Sequence, residues 1–134
     1  MTEAEIHIFH TSLARCIVDP RFFDKFYERF LRSSPEVAEK FQNTNFHHQK
    51  NALKLSFYAI QSAAVRRTPD FSELAQTARR HGRTEADIAP RLYDLWLETL
   101  IGTAAEIDAL FTEDVANVWR TAFRPAIEYM IAHY

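Results

Sequence analysis

The sequence predicts an all-α fold, and three observations lead to that prediction. Apolar residues recur at helical spacing along the whole chain, and no segment alternates as a strand does. Glycine occurs only twice, which is too few for the many tight turns of an all-β protein. Eleven Phe, five Tyr and two Trp supply large side chains for a core, or for packing against something large and flat. The length of 134 residues predicts one domain spanning 1–134.

The first two helices are predicted from signals at their N-termini. Thr2 and Glu5 have the T-x-x-E spacing of a capping box, in which each side chain accepts a hydrogen bond from the other residue's backbone. At the second helix, Asp19 and Pro20 are expected to supply the cap and a first-turn proline.

The middle of the chain predicts a short helix and then a long one. Ser34 and Pro35 repeat the cap-and-proline pattern for a short third helix. After a polar connection, the long helix is expected from about residue 47 to residue 65, interrupted afterwards by Thr68-Pro69-Asp70. One face of the long helix should carry Leu53, Ile60 and Ala64.

The segment FSELAQTARRHG predicts a further helix with His81 on its apolar face and Gly82 as its stop. Arg79 and Arg80 are expected to point elsewhere. An imidazole in this position can bind iron through one neutral nitrogen. Taken alone, His81 is better explained as a buried or half-buried histidine that helps to cap the helix end, where a positive charge suits the helix dipole.

Two more helices complete the chain. Ala89 and Pro90 are expected to open one, although Gly102 falls inside it without an evident reason. Thr112 is expected to cap the last.

Composition and charge exclude several classes of function. With a formal net charge of −2, the chain has no basic field to hold nucleic acid or an anionic membrane. The single cysteine, Cys16, excludes an internal disulfide and cysteine-based zinc sites, and it is expected to be a small buried residue. Neither a signal peptide nor a membrane span is evident, so a cytoplasmic protein is expected.

Five residues together match a known pattern. Tyr27, Phe41, Gln49, Leu53 and His81 occur in the order and register of the bacterial single-domain globins and the haem domains of flavohaemoglobins. The segments FYERFLRSSPEVAEKFQN, HQKNAL, LAQTARRHG and VWRTAFRPAIEYM resemble that family, and the register from Gln49 to His81 is free of gaps. The resemblance covers residues 5–131.

The resemblance implies a globin fold, with helices packed around a pocket for haem b (iron protoporphyrin IX). It makes His81 the proximal ligand of the iron and Phe41 the side chain that stacks on the porphyrin. It makes Tyr27 and Gln49 the polar distal pair and Leu53 an apolar distal wall. A phenol O–H or an amide N–H stabilises a bound gas that carries partial negative charge.

The sequence departs from the family on the proximal side. The family supports its proximal histidine with a tyrosine and a glutamate. Here Ala89 or Arg91 falls near the place of the tyrosine, Tyr93 is a substitute without a definite position, and the glutamate has no clear counterpart. A strongly electron-rich, peroxidase-like iron is therefore not expected.

The distal side leaves one alternative open. His47 and His48 precede Gln49, and either could bind the iron, or both could be solvated residues at a helix start. Because one residue turns a helical side chain by about 100°, His48 should point sideways from the haem.

The function favoured by the resemblance is reversible binding of oxygen, with nitric oxide and carbon monoxide as other gases, by a monomer or homodimer. One alternative is a nitric oxide dioxygenase or peroxidase. No flavin domain follows Tyr134, so such an enzyme is expected to need a separate reductase. Another is a gas sensor or a haem-free, globin-like interaction domain.

Overall fold

Seven α-helices make up the part of the chain that the structure describes. The structure is a computed structural model that describes residues 1–66, 71–82 and 86–134, and within them it contains no strand. The helices are α1 (Glu3–Ile17), α2 (Phe22–Ser33), α3 (Pro35–Lys40), α4 (Phe46–Val65), α5 (Ala75–His81), α6 (Arg91–Ile107) and α7 (Glu113–Ala132), with a 3-10 turn at Ser72–Leu74 before α5. None of the described helices is long and apolar enough to cross a membrane. The all-α prediction is confirmed.

Three predicted helix starts are confirmed. The Thr2 hydroxyl accepts a hydrogen bond from the Glu5 backbone at 3.1 Å, and the Glu5 carboxylate accepts one from the Thr2 backbone at 3.0 Å. Ser34 caps α3 with Pro35 at its first position, and the Thr112 side chain caps α7. Each cap satisfies a backbone N–H that has no partner inside its own helix.

The predicted cap at Asp19 and Pro20 is wrong. Helix α2 begins at Phe22, and the residue before it, Arg21, makes no side-chain capping bond. The Asp19 carboxylate instead accepts hydrogen bonds from the guanidinium and the backbone N–H of Arg21, which lower its pKa to about 2. Asp19 therefore closes a turn ahead of the helix.

The long helix α4 begins one residue earlier than predicted, at Phe46, and ends at Val65 as predicted. Leu53 and Ile60 are buried as expected, but near its end the buried residue is Ala63, while Ala64 is only half-buried. The predicted interruption Thr68-Pro69-Asp70 lies outside the described residues.

Helix α5 ends at His81, as predicted, but Gly82 does not end it with a left-handed conformation. Its φ is −69° and its ψ is 172°. A Cβ at this position would lie 3.3 Å from the carbonyl oxygen of Arg79 and 3.4 Å from that of Tyr134. The close approach of the C-terminal backbone therefore explains this glycine.

The core is rich in aromatic side chains. Helix α2 packs on α6 and α3, and α7 packs on α1, α6 and α4. Phe9 meets Trp119 and Phe123 edge-on, with ring centroids 5.8 and 5.5 Å apart. The large aromatic residues with no exposed surface are Phe9, Phe22, Phe26, Phe57, Trp119 and Phe123.

A buried polar group, which we call the anchor cluster, joins α1 to the turn between α6 and α7. It consists of Ser12, Arg15, Asp108 and Trp119. The Trp119 indole donates to the Ser12 hydroxyl at 2.9 Å, and that hydroxyl donates to the Asp108 carboxylate at 2.7 Å. The Arg15 guanidinium donates to both oxygens of that carboxylate, at 2.6 and 3.0 Å.

Asp108 remains ionised although it is 2 % exposed. Burial alone would raise the pKa of its carboxyl, but hydrogen bonds from Arg15, Ser12 and the Leu110 backbone outweigh burial and lower that pKa. The anchor cluster thus forms a buried, charged contact between distant parts of the sequence.

Cys16 is buried with no exposed surface, as predicted. Burial raises the pKa of its thiol to about 12, so the thiolate is not formed near neutral pH.

Candidate functional site

A cavity of about 390 Å³ lies at the centre of the fold, with lining residues from α2 to α7. This volume is within the range of small-molecule and cofactor sites, about 300–1,000 Å³. The structure brings all five residues named by the resemblance into its lining: Tyr27, Phe41, Gln49, Leu53 and His81.

Tyr27 and Gln49 form a hydrogen-bonded pair in the lining. The Gln49 amide donates to the Tyr27 hydroxyl at 3.1 Å. Tyr27 is 4 % exposed, and burial raises the pKa of its phenol to about 12, so the hydroxyl keeps its proton near neutral pH. Because this oxygen accepts from Gln49, its own hydrogen is left to donate to a ligand.

The Tyr27 ring packs against other aromatic rings. Its centroid lies 5.0 Å from that of Phe26, 5.9 Å from that of Phe41 and 5.5 Å from that of Phe46. Helix α2 thus presents the phenol, and Phe41 and Phe46, the first residue of α4, pack against its ring.

His81 lies at the last residue of α5 and is half-buried. Burial lowers the pKa of its imidazole, so the ring is neutral near pH 7. Its Nδ1 lies 3.0 Å from the Tyr93 hydroxyl. Nε2 is therefore the nitrogen left for a metal, and in that state Nδ1 carries the hydrogen and donates it to the Tyr93 oxygen.

Tyr93 is the residue that the sequence could not place. It lies in the first turn of α6, and burial raises the pKa of its phenol to about 12. Neither Ala89 nor Arg91 makes this contact. The sequence did hold a sign of this role. Tyr93 carries a hydroxyl and lies at helical spacing from Leu97 and Leu100, on the buried face of α6.

A carboxylate partner for His81 is absent from the part of the chain that the structure describes. The His81 ring contacts the hydroxyl and the ring of Tyr93, and burial is the cause of its pKa shift. Within the same residues, no cluster of three or more His, Cys, Asp or Glu side chains could hold a metal ion.

The charged residues of the lining are cations. These are Lys40, at the end of α3, and Arg80, on α5; both are exposed, and no Asp or Glu is among the described lining residues. The Lys40 ammonium donates to the Ala86 carbonyl oxygen at 2.7 Å. The prediction that Arg80 points away from the site is wrong, because the residue reaches the cavity rim.

His47 and His48 lie outside the cavity lining. Both are exposed, and their rings lie 5.9 Å apart at the first turn of α4. Gln49, the next residue, is the one that lines the cavity.

Comparison with known proteins places this architecture. No protein-family model matches the chain, and no curated protein sequence matches it. It is similar to a crystal structure from Pseudomonas aeruginosa PAO1, of a protein described as structurally highly homologous to a human haemoglobin. The sequences are 32 % identical over 97 % of this chain and 98 % of that one, with a TM-score of 0.90. The chain therefore belongs to the family of bacterial globin-like proteins and has the globin fold.

Proposed function

We propose that the chain binds one haem b in the central cavity, with Nε2 of His81 as the axial ligand, and that it binds oxygen reversibly. One observation carries this proposal. A neutral, half-buried His81, whose Nδ1 is engaged by Tyr93, shares an apolar cavity with the hydrogen-bonded pair Tyr27 and Gln49. When bound, haem supplies an iron that takes one nitrogen ligand and one diatomic gas.

The remaining lining residues fit the rest of the cofactor. Phe41 and Leu53 offer apolar surfaces to a porphyrin ring. Lys40 and Arg80, at the rim, are placed for its two carboxylate groups, and the described lining has no acid to oppose them. An apolar cavity with cations on its rim suits a flat ligand that is apolar except for carboxylates on one edge.

The distal pair favours a polarised gas. The Tyr27 hydroxyl accepts from Gln49 and donates its own hydrogen to the ligand, in a site where burial strengthens the bond. The resemblance of the sequence to the bacterial single-domain globins and the flavohaemoglobin haem domains implies the same role for these two residues.

The proximal side favours gas binding over peroxidase chemistry. A phenol with a pKa of about 12 is a weak acceptor for the His81 N–H compared with a carboxylate, so it gives the imidazole little anionic character. Nitric oxide dioxygenation is the second candidate, because the Tyr27–Gln49 pair suits it as well. It requires electrons from a separate reductase.

Haem uptake tests the proposal. Titration of the purified chain with haemin should saturate at one equivalent and give a Soret band, which should shift when the reduced protein meets carbon monoxide. Absence of a saturable Soret band would instead favour the haem-free interaction domain. Catalytic consumption of nitric oxide in the presence of reductant would favour the dioxygenase.

The ferric spectrum is expected to show water ligation or five-coordinate iron at neutral pH. His47 and His48 are exposed and lie outside the cavity lining, so neither is placed to compete for the sixth position. Absorption and electron paramagnetic resonance spectra measure this directly. A low-spin ferric spectrum that disappears in His47→Ala or His48→Ala would contradict the expectation and identify a bis-histidyl globin.

A further inference from the structure

A second, smaller cavity lies between α2 and α4. Its volume is about 140 Å³, and we call it the outer cavity; it is lined by Asp24, Tyr27, Leu31, Phe46 and Lys50. Tyr27 also lines the central cavity, so the two spaces have the Tyr27 side chain as a common wall.

The lining of the outer cavity suits a small apolar molecule. Leu31 and Phe46 are half-buried, and Tyr27 contributes an aromatic surface. Lys50 of α4 and Asp24 of α2 form an ion pair across it, with side chains 36 % and 63 % exposed. These exposures place the ion pair on the solvent side of the outer cavity.

The proposed position of the haem makes this second space important. The haem carboxylates would pair with Lys40 and Arg80, and a gas would bind beside Tyr27 and Gln49, the polar pair of the central cavity. Tyr27 also lines the outer cavity, so this space lies next to the residue that would bind the gas.

We propose that the outer cavity is an access route for oxygen and other diatomic gases, with Tyr27 as its moving wall. The inference rests on the proposed function. The Tyr27 hydroxyl accepts a hydrogen bond from the neutral Gln49 amide, and its ring makes edge contacts with Phe26, Phe41 and Phe46. A swing of this one side chain joins the outer cavity to the central one, and the ion pair braces α2 against α4 beside it.

Filling the outer cavity tests the route with carbon monoxide as the probe. In the haem-loaded ferrous protein, Leu31→Trp should slow both association and dissociation by the same factor, about threefold or more. A residue on the route changes the free-energy barrier to entry and exit but not the free energies of the bound and unbound states, so the affinity for carbon monoxide stays constant. Flash photolysis and stopped-flow mixing measure the two rates.

The matched control is Leu55→Trp, which makes the same substitution on the exposed face of α4, outside the lining of both cavities. It should leave both rates unchanged. An equal slowing of the rates in Leu55→Trp and Leu31→Trp would overturn the proposal. Unchanged rates in both variants, or an altered affinity in Leu31→Trp, would overturn it as well.

Xenon gives a second readout that does not depend on haem. Under xenon pressure, the methyl NMR signals of Leu31 should shift, while those of Leu55, exposed on α4, should not. Unmoved Leu31 signals would overturn the proposal. Because the xenon measurement works on the chain with or without cofactor, a failure of haem uptake is distinguishable from a failure of the route.

Discussion

The anchor cluster and the polar residues of the central cavity differ in how fully their polar groups are hydrogen-bonded. Each oxygen of the Asp108 carboxylate accepts two hydrogen bonds: Oδ1 from Arg15 and the Leu110 backbone, and Oδ2 from Arg15 and Ser12. The Ser12 hydroxyl also accepts a hydrogen bond from Trp119. In the cavity, four polar side chains form two separate pairs: Tyr27 with Gln49, and His81 with Tyr93.

The difference distinguishes a structural cluster from a binding one. A buried polar group that is fully bonded fixes the fold and has nothing left for a ligand. Each pair in the cavity keeps one group unused, the Tyr27 hydrogen on one side and Nε2 of His81 on the other. The comparison therefore predicts two kinds of effect. Substitution of a residue in the anchor cluster should lower the free energy of unfolding, and substitution of a residue in the cavity pairs should alter the binding of haem or gas.

The largest expected effect comes from His81→Ala. Without the axial nitrogen, haem affinity should fall more than about a hundredfold, because loss of a direct ligand exceeds the loss of a supporting partner. Added imidazole should partly restore the spectrum. Haem transfer to an acceptor protein measures the loss, and His133→Ala, an exposed histidine at the end of α7, should retain haem. An unchanged Fe–His band in the resonance Raman spectrum of His81→Ala would reject the assignment.

Asp108→Asn tests the other side of the comparison. It removes charge-assisted hydrogen bonds from a buried position and should lower the free energy of unfolding by about 2–3 kcal/mol. Haem affinity of the folded protein should change little. Urea unfolding at neutral pH measures the stability, and a loss of haem binding without loss of stability would mean that the two clusters are not separable.

The pH dependence of stability should also differ between wild type and Asp108→Asn. Folding lowers the pKa of the Asp108 carboxyl, so its contribution is complete above the unfolded-state pKa of about 3.9. The contribution is lost as pH falls through the lower, folded-state pKa. Wild type should therefore lose stability more steeply than the variant in that acidic range, and parallel curves would contradict this account.

Tyr27→Phe should raise the oxygen dissociation rate about tenfold or more, since a charge-assisted hydrogen bond contributes about 1.5–3 kcal/mol. Tyr93→Phe is the matched control, because it removes the same hydroxyl on the opposite side of the cavity. That variant should shift the Fe–His band and change the oxygen rate much less. Unchanged rates in both Tyr27→Phe and Gln49→Leu would mean that other residues form the distal side.

Local signals in the sequence predicted the helices well wherever local contacts decide the structure. The caps at Thr2, Ser34 and Thr112 depend on atoms a few residues away and were found. Asp19 has the residue type of a cap but bonds to Arg21, and only side-chain geometry reveals that choice. Long-range partners were not predictable, since Ser12 and Asp108 are 96 residues apart in sequence.

The candidate site was predicted through a resemblance, and the residues that the resemblance did not cover were missed. The described cavity contains all five carried-over residues, although their roles stay predictions. Tyr93 had no definite place because the register that is free of gaps against the family ends at His81. Arg80 was expected from helical spacing to point elsewhere on the helix, but it is one of the residues that line the cavity.

The smallest expected effect is that of Gly102→Ala, on the helix that connects the two clusters. Tyr93 lies near the start of α6, and Asp108 follows its end. Gly102 is exposed within this helix, and an added Cβ would meet nothing within 4 Å, so no contact requires the glycine. Alanine should raise the free energy of unfolding by about 0.5–1 kcal/mol, because it loses less backbone entropy on folding. Denaturant unfolding measures the gain. The rates for oxygen and carbon monoxide should stay unchanged, since a stiffer α6 moves neither pair in the cavity. A changed gas affinity in Gly102→Ala would show that the anchor cluster and the proximal pair are coupled through α6, and that the two kinds of polar cluster do not act independently.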